Sequence, residues 1–205
     1  MKPVTLLFIG DSITDAGRER DDPFSLGSGF VSVIASRLSA SSPFSPWSVL
    51  NRGISGDRAP AVEARWSQDC LQLLPHVVTL LVGVNDTWRR FDSNVPSPIH
   101  NYERALQNML RRLANSNNPH VILMEPFALH VGSVTSEWDE EMHSRRRVVR
   151  DLALKFGHVS VPLQDALDAA ALLNEPSSLL HDGVHPTARG HELIASEWMA
   201  AFQRN

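Results

Sequence analysis

The chain has 205 residues, is 42% hydrophobic and carries a formal charge of -4 with its nine histidines neutral, a length that supports one sizeable core and hence one domain over residues 1–205. Its lysines and arginines are interspersed among acids, which excludes a basic stripe for nucleic acid and a polybasic membrane patch, and no apolar run approaches the roughly 18 residues of a membrane span. Cys70 is the only cysteine, so an intrachain disulfide and a Cys/His structural zinc are excluded too.

Lys2 followed by the apolar run Val4 to Ile9 faintly resembles a signal peptide, but the run is short and no small-residue cleavage site follows, which fits a mature, cytoplasmic chain. The same run, apolar or β-branched without polar alternation, reads as a strand covered on both faces. Gly10-Asp11 then turns the chain and leaves Ser12 just past the carboxyl end of that strand, where open α/β sheets bind ligands. An exposed serine there is a candidate nucleophile. The alternative is that Asp11 or Ser12 only caps the following turn.

Asp15 to Asp22 carries no period and reads as loop. Phe30, Val33, Ile34, Arg37 and Leu38 recur at helical spacing, followed by turn-rich Ser39 to Pro46. Trp47 to Leu50 is a second strand running into Asn51-Arg52-Gly53-Ile54-Ser55-Gly56. A helix from about Ala59 places Val62, Trp66, Cys70, Leu71 and Leu74 on one face until Pro75 stops it. Val77 to Val82 is the third strand, breaking at Gly83-Val84-Asn85-Asp86. Tyr102, Leu106, Met109, Leu110 and Leu113 form the next helical stripe, and Val121 to Met124 a fourth strand. Ser136 to Phe156 reads as a long helix with Trp138, Met142, Val149, Leu152 and Phe156 inward and Arg145-Arg146-Arg147 on a solvated face. Val159 to Leu163 is a fifth strand, placed at an edge by Pro162. Gln164 to Leu173 and a closing helix from near Thr187, carrying Leu193, Ile194, Trp198 and Phe202, complete the chain. Five strands separated by helices imply right-handed crossovers and a parallel sheet between two helical layers.

Three successive strands end in small polar residues: Ser12, Gly53 and Asn85. By the carboxyl-end rule all three face one crevice. A serine hydroxyl is a poor nucleophile near neutral pH and needs a base with an orienting acid. Asp182 and His185, three residues apart in a Gly-loosened loop ahead of a helix, supply both: Asp182 holds the ring of His185, whose other nitrogen accepts the Ser12 proton. Backbone N–H groups of Ser12 and Gly53 with the Asn85 amide would form an oxyanion hole. Taken singly, His185 reads as a loop residue, Gly53 as a turn glycine and Asn85 as a cap.

Gly10-Asp11-Ser12-Ile13, Gly53, Gly83-Val84-Asn85-Asp86 and Asp182-Gly183-Val184-His185 resemble, in order, the four blocks of the GDSL or SGNH hydrolases, a family of serine esterases. The resemblance spans nearly the whole chain and departs from the family name only in Ile13 for Leu. It implies a flavodoxin-like three-layer α/β/α sandwich with a central five-stranded parallel sheet, a Ser12-His185-Asp182 triad, a Ser12, Gly53, Asn85 oxyanion hole, and neither a metal nor an organic cofactor. Asn51 to Gly56 together with Val84 to Asp92 is similar to the branch containing intracellular acetylxylan esterases. That branch deacetylates xylo-oligosaccharides and includes oligomers, which leaves a homo-oligomer open and points to an acetylated sugar as the partner. Asp11, Arg58, Trp88 and Arg89 are the substrate-contacting candidates, with Trp88 walling a small acyl pocket or stacking on a sugar. The alternative is a core Trp88 and solvated arginines.

Three rival functions remain. A lysophospholipase or thioesterase would use the same serine on longer acyl chains. A two-metal phosphoesterase would need several converging His and Asp ligands, but the first strand lacks an upstream Asp-x-His and His185 to His191 lacks paired ligand histidines. A silent carbohydrate-binding module would rest on the five tryptophans, and leaves the Ser, Asp and His blocks without a purpose.

Overall fold

The computed structural model describes residues 3–41 and 47–204. Strand β1 (Val4–Gly10) lies inside a five-stranded sheet with β2 (Trp47–Gly53), β3 (Val77–Leu81), β4 (His120–Met124) and β5 (Val159–Val161), in the order β2-β1-β3-β4-β5 with every pairing parallel. Side chains alternate across a strand, and here both faces are covered: Leu6 and Phe8 enter one core, Leu7 and Ile9 the other, and all four are fully buried. Each such side chain contributes roughly 1.5–3 kcal/mol by leaving water.

The first core is closed by α2 (Phe30–Ser41), α8 (Leu163–Ala171) and α9 (Ala188–Gln203). The second is closed by α3 (Ala59–Ala64), α6 (Ile99–Ala114) and most of α7 (Asp139–Phe156). Trp198 of α9 packs on Phe8 at 5.3 Å between ring centroids, and its indole N–H donates to Thr79 Oγ1 at 2.8 Å, so the polar atom it brings into the core is satisfied. Among the described residues no helix is long and apolar enough to cross a membrane.

The chain leaves β1 for β2 on one side and returns to β3 on the other. A crevice therefore opens at the carboxyl ends of β1 and its neighbours. Register makes those ends level, since Gly10 lies opposite both Gly53 and Leu81. Two short helices line this rim, α1 (Ser12–Asp15) after β1 and α5 (Val84–Asp92) after β3.

Several boundaries differ from the sequence reading. β2 runs three residues further than Leu50, because Asn51, Arg52 and Gly53 continue the ladder with β1. Of the expected turn Ser39 to Pro46, residues 39–41 finish α2 and residues 42–46 lie outside the described residues. The helix expected from Ala59 to Pro75 is three pieces: α3, α4 (Trp66–Asp69) and a 3-10 turn Leu71–Leu73. Leu74 takes a left-handed conformation and is 60% exposed instead of joining the apolar face. The long helix from Ser136 opens with a 3-10 turn, Ser136–Trp138. Arg145 is not on a solvated face: it is buried, donates to Ser97 O at 3.0 Å and to Glu141 O at 3.3 Å, and lies over the Tyr102 ring, while Arg147 is exposed.

Candidate active site

Ser12 owes its position to Asp11. The Asp11 Oδ1 accepts the Ile13 N–H at 3.0 Å and starts α1, which sets Ser12 in the first helical turn, partly exposed at the rim. Capping and presentation of the serine are thus one device. Asp11 itself is fully buried and its Oδ2 has no partner. Burial pushes this carboxyl up to about 7, against the Ile13 N–H and with help from the Asp86 and Asp57 charges. A carboxyl sealed beneath the turn cannot touch a substrate, which corrects its place among the contact residues.

From the far end of the chain, the segment 180–186 closes on itself through a Leu180–Pro186 bridge and a His181 N–H to His185 O bond of 2.8 Å. Inside this loop Asp182 Oδ1 accepts the N–H groups of Val184 at 3.0 Å and His185 at 2.8 Å. Its Oδ2 lies 2.7 Å from His185 Nδ1, and His185 Nε2 lies 3.0 Å from Ser12 Oγ. With Nδ1 carrying the proton toward the carboxylate, Nε2 accepts from the serine hydroxyl. Burial opposes the Asp182 charge, but the His185 N–H, its imidazole and the Val184 N–H outweigh it and hold the carboxyl below the ordinary range.

The expected donors fare differently. The Gly53 N–H donates to Asn51 Oδ1 at 2.8 Å, inside the fold. Gly53 is there for close packing: a Cβ on it would stand 2.1 Å from the Asp15 backbone nitrogen. That corrects the assignment of Gly53 to the oxyanion hole. Three residues on, Gly56 is exposed, and among the described residues neither its N–H nor that of Ser12 has an internal acceptor. Asn85, at 3% exposure, gives one amide hydrogen to Asp57 O at 3.1 Å and keeps the other. The missed signal was position along the strand: Ser12 and Asn85 lie past the ends of their ladders, as Gly56 does, whereas Gly53 is the last rung.

Trp88 of α5 packs against the His185 ring at 5.6 Å and is backed by Trp138 at 5.8 Å, so it walls the imidazole and stays partly exposed. Arg58 is half-buried just before α3, within electrostatic range of Asp86. Arg89 pairs with Asp92 along α5. A cavity of about 560 Å³ lies between the 94–99 segment and α7, and one of about 240 Å³ beside Gln164; neither is lined by Ser12, Asp182 or His185. Among the described residues no three His, Cys, Asp or Glu side chains converge as metal ligands.

Residues 8–193 match the model of the GDSL-like lipase/acylhydrolase family. The chain is 34% identical over 201 residues to an acetylxylan esterase of Geobacillus stearothermophilus, covering 95% of this chain and 91% of that one. A crystal structure of that esterase superposes with a TM-score of 0.88 at 32% identity, over 96% of this chain and 93% of the other. Its catalytic mutants replace a serine, an aspartate and, three residues after the aspartate, a histidine by alanine. A candidate GDSL-like lipase of Parabacteroides merdae superposes with a TM-score of 0.95 at 34% identity, covering 100% of this chain and 97% of its own.

Proposed function

Because the chain belongs to the GDSL-like lipase/acylhydrolase family and is a carboxylic ester hydrolase, we propose that it removes acetyl groups from acetylated sugars, xylo-oligosaccharides among them, through an acyl-enzyme on Ser12. The observation that carries this reading is the hydrogen-bonded chain from Ser12 Oγ through both ring nitrogens of His185 to Asp182. In the proposed reaction Ser12 Oγ bonds to the acyl carbon while His185 Nε2 takes its proton, and Asp182 stabilises the imidazolium. The negative charge moves to the former carbonyl oxygen, which meets the Ser12 and Gly56 N–H groups and the free Asn85 amide hydrogen. Collapse breaks the bond to the sugar oxygen, which leaves with the proton from His185. Water then repeats the sequence on the acyl-enzyme, releasing acetate and restoring Ser12.

A small acyl group is favoured by the bulk of Trp88 held beside His185 and Trp138, and by similarity to an acetylxylan esterase. The test compares acetyl with octanoyl p-nitrophenyl esters, then peracetylated xylose with other acetylated sugars. The expected result is acetyl over octanoyl by at least about tenfold, with Ser12→Ala losing about four to six orders of magnitude in kcat. Preference for octanoyl would replace the sugar acetyl substrate by a lipid or thioester. Near-normal turnover by folded Ser12→Ala would remove the mechanism.

A further inference from the structure

Arg65 occupies the break between α3 and α4, with φ -98° and ψ 5°, and its side chain is only 15% exposed. Arginines at helix ends ordinarily extend into water, whereas this one turns under the rim of the sheet and spends its donors on four acceptors. Nη2 donates to Gly10 O at 3.0 Å and Nη1 to Arg52 O at 2.8 Å. Nε donates to Asp57 Oδ2 at 2.8 Å, and Nη1 also to Asp69 Oδ2 at 2.9 Å. The first three belong to three segments of the site. Gly10 is the last residue of β1 before Asp11 and Ser12, Arg52 precedes Gly53 in β2, and Asp57 follows Gly56.

Asp57 is the link that matters. Its carboxylate is held by Arg65 while its carbonyl accepts the Asn85 amide. An amide NH2 is planar, so fixing one hydrogen on a carbonyl sets the direction of the other. We infer that Arg65 is a positioning residue for ester cleavage: through Asp57 it aims the free Asn85 hydrogen, and through the Gly10 carbonyl it fixes that donor relative to Ser12. The inference rests on the oxyanion role proposed for Asn85. A planar fork reaching separate acceptors is something arginine provides and lysine, a single point charge, does not.

The experiment uses the full chain and four variants, Arg65→Met, Arg65→Lys, Asn85→Ala and the Arg65→Met/Asn85→Ala pair. For each, kcat and KM on an acetyl ester are measured alongside inhibition by a boronic acid that forms a tetrahedral adduct on the serine. Arg65→Met is expected to lower kcat about 10- to 100-fold with KM within about threefold, and to weaken boronate inhibition by a similar factor. Arg65→Lys restores less than half of that loss on a logarithmic scale. In the Asn85→Ala background, Arg65→Met costs less than about threefold more, because the group it aims is gone. Wild-type kcat in Arg65→Met, or losses that multiply in the double variant, would overturn the inference while leaving an impaired Asn85→Ala to support the oxyanion reading. Full kcat in Asn85→Ala would overturn both. If Arg65→Met does not fold, Arg65→Lys carries the same comparison, alone and with Asn85→Ala.

Discussion

The two oxygens of Asp182 perform different tasks. Oδ1 is saturated by backbone N–H groups, which locks the carboxylate in its loop, and Oδ2 is left for the imidazole. Asp182→Asn keeps the size but offers Nδ2, a donor, or a weaker oxygen to His185 Nδ1, and so favours the ring tautomer that cannot accept from Ser12. The expected outcome is a kcat lower by about two to four orders of magnitude with little change in melting temperature, read by ester hydrolysis and calorimetry. Wild-type kcat would show that the carboxylate does not set the tautomer. Ser12, Asp182 and His185 were legible in sequence because each stands in a short block whose spacing encodes its geometry. Gly53 was misread because composition does not show where a backbone N–H points. Arg65 was missed because its i,i+4 pair with Asp69 reads as an ordinary helix ion pair, while its bonds to Gly10, Arg52 and Asp57 leave no local pattern.

Strands were the most legible elements, since two-sided burial leaves an unbroken apolar run in β1 and β3. Helix interruption was not. Val62, Trp66 and Cys70 are all fully buried and keep the apolar spacing through the break at Arg65, so periodicity continues where the hydrogen-bond ladder does not. The arginine run shows the same blindness, because the partners that bury Arg145 include Ser97 and Tyr102 from a distant segment. The 180–186 loop has one strict local requirement. Gly183 has φ +91°, and a Cβ there would stand 2.5 Å from Leu129 O and 2.7 Å from Val131 O. Gly183→Ala therefore has to push the loop off the 129–131 segment and carry Asp182 and His185 with it. The expected result is a kcat/KM lower by about 10- to 100-fold in a protein whose sheet persists by circular dichroism. Unchanged kcat/KM would mean that the loop has slack the contacts do not suggest.

Across the whole molecule, buried and half-buried ionisable groups pull pH-dependent stability in opposite directions. Burial raises the Asp11 carboxyl from an ordinary 3.8 to about 7, so the folded state binds this proton more tightly than the unfolded chain. Its contribution is fully present below about pH 4 and is lost as pH rises toward 7. Asp86 is raised for the same first cause and adds to the slope. His191 does the reverse. Its Nδ1 accepts the Phe30 N–H at 3.1 Å, and burial with the His181 charge lowers it from 6.5 to about 4, so its contribution is present above pH 6.5 and is lost on acidification through 4. Between pH 4 and 6.5 the slopes of Asp11 and His191 have opposite signs. Asp11→Asn retains an oxygen for the Ile13 N–H and mimics the protonated acid. It should match wild type near pH 3.5, then gain on it steadily, by up to on the order of 4 kcal/mol at pH 8. Urea midpoints in half-unit pH steps measure the gap, and a difference between the two proteins that stays constant with pH would show Asp11 titrating in the ordinary carboxylate range.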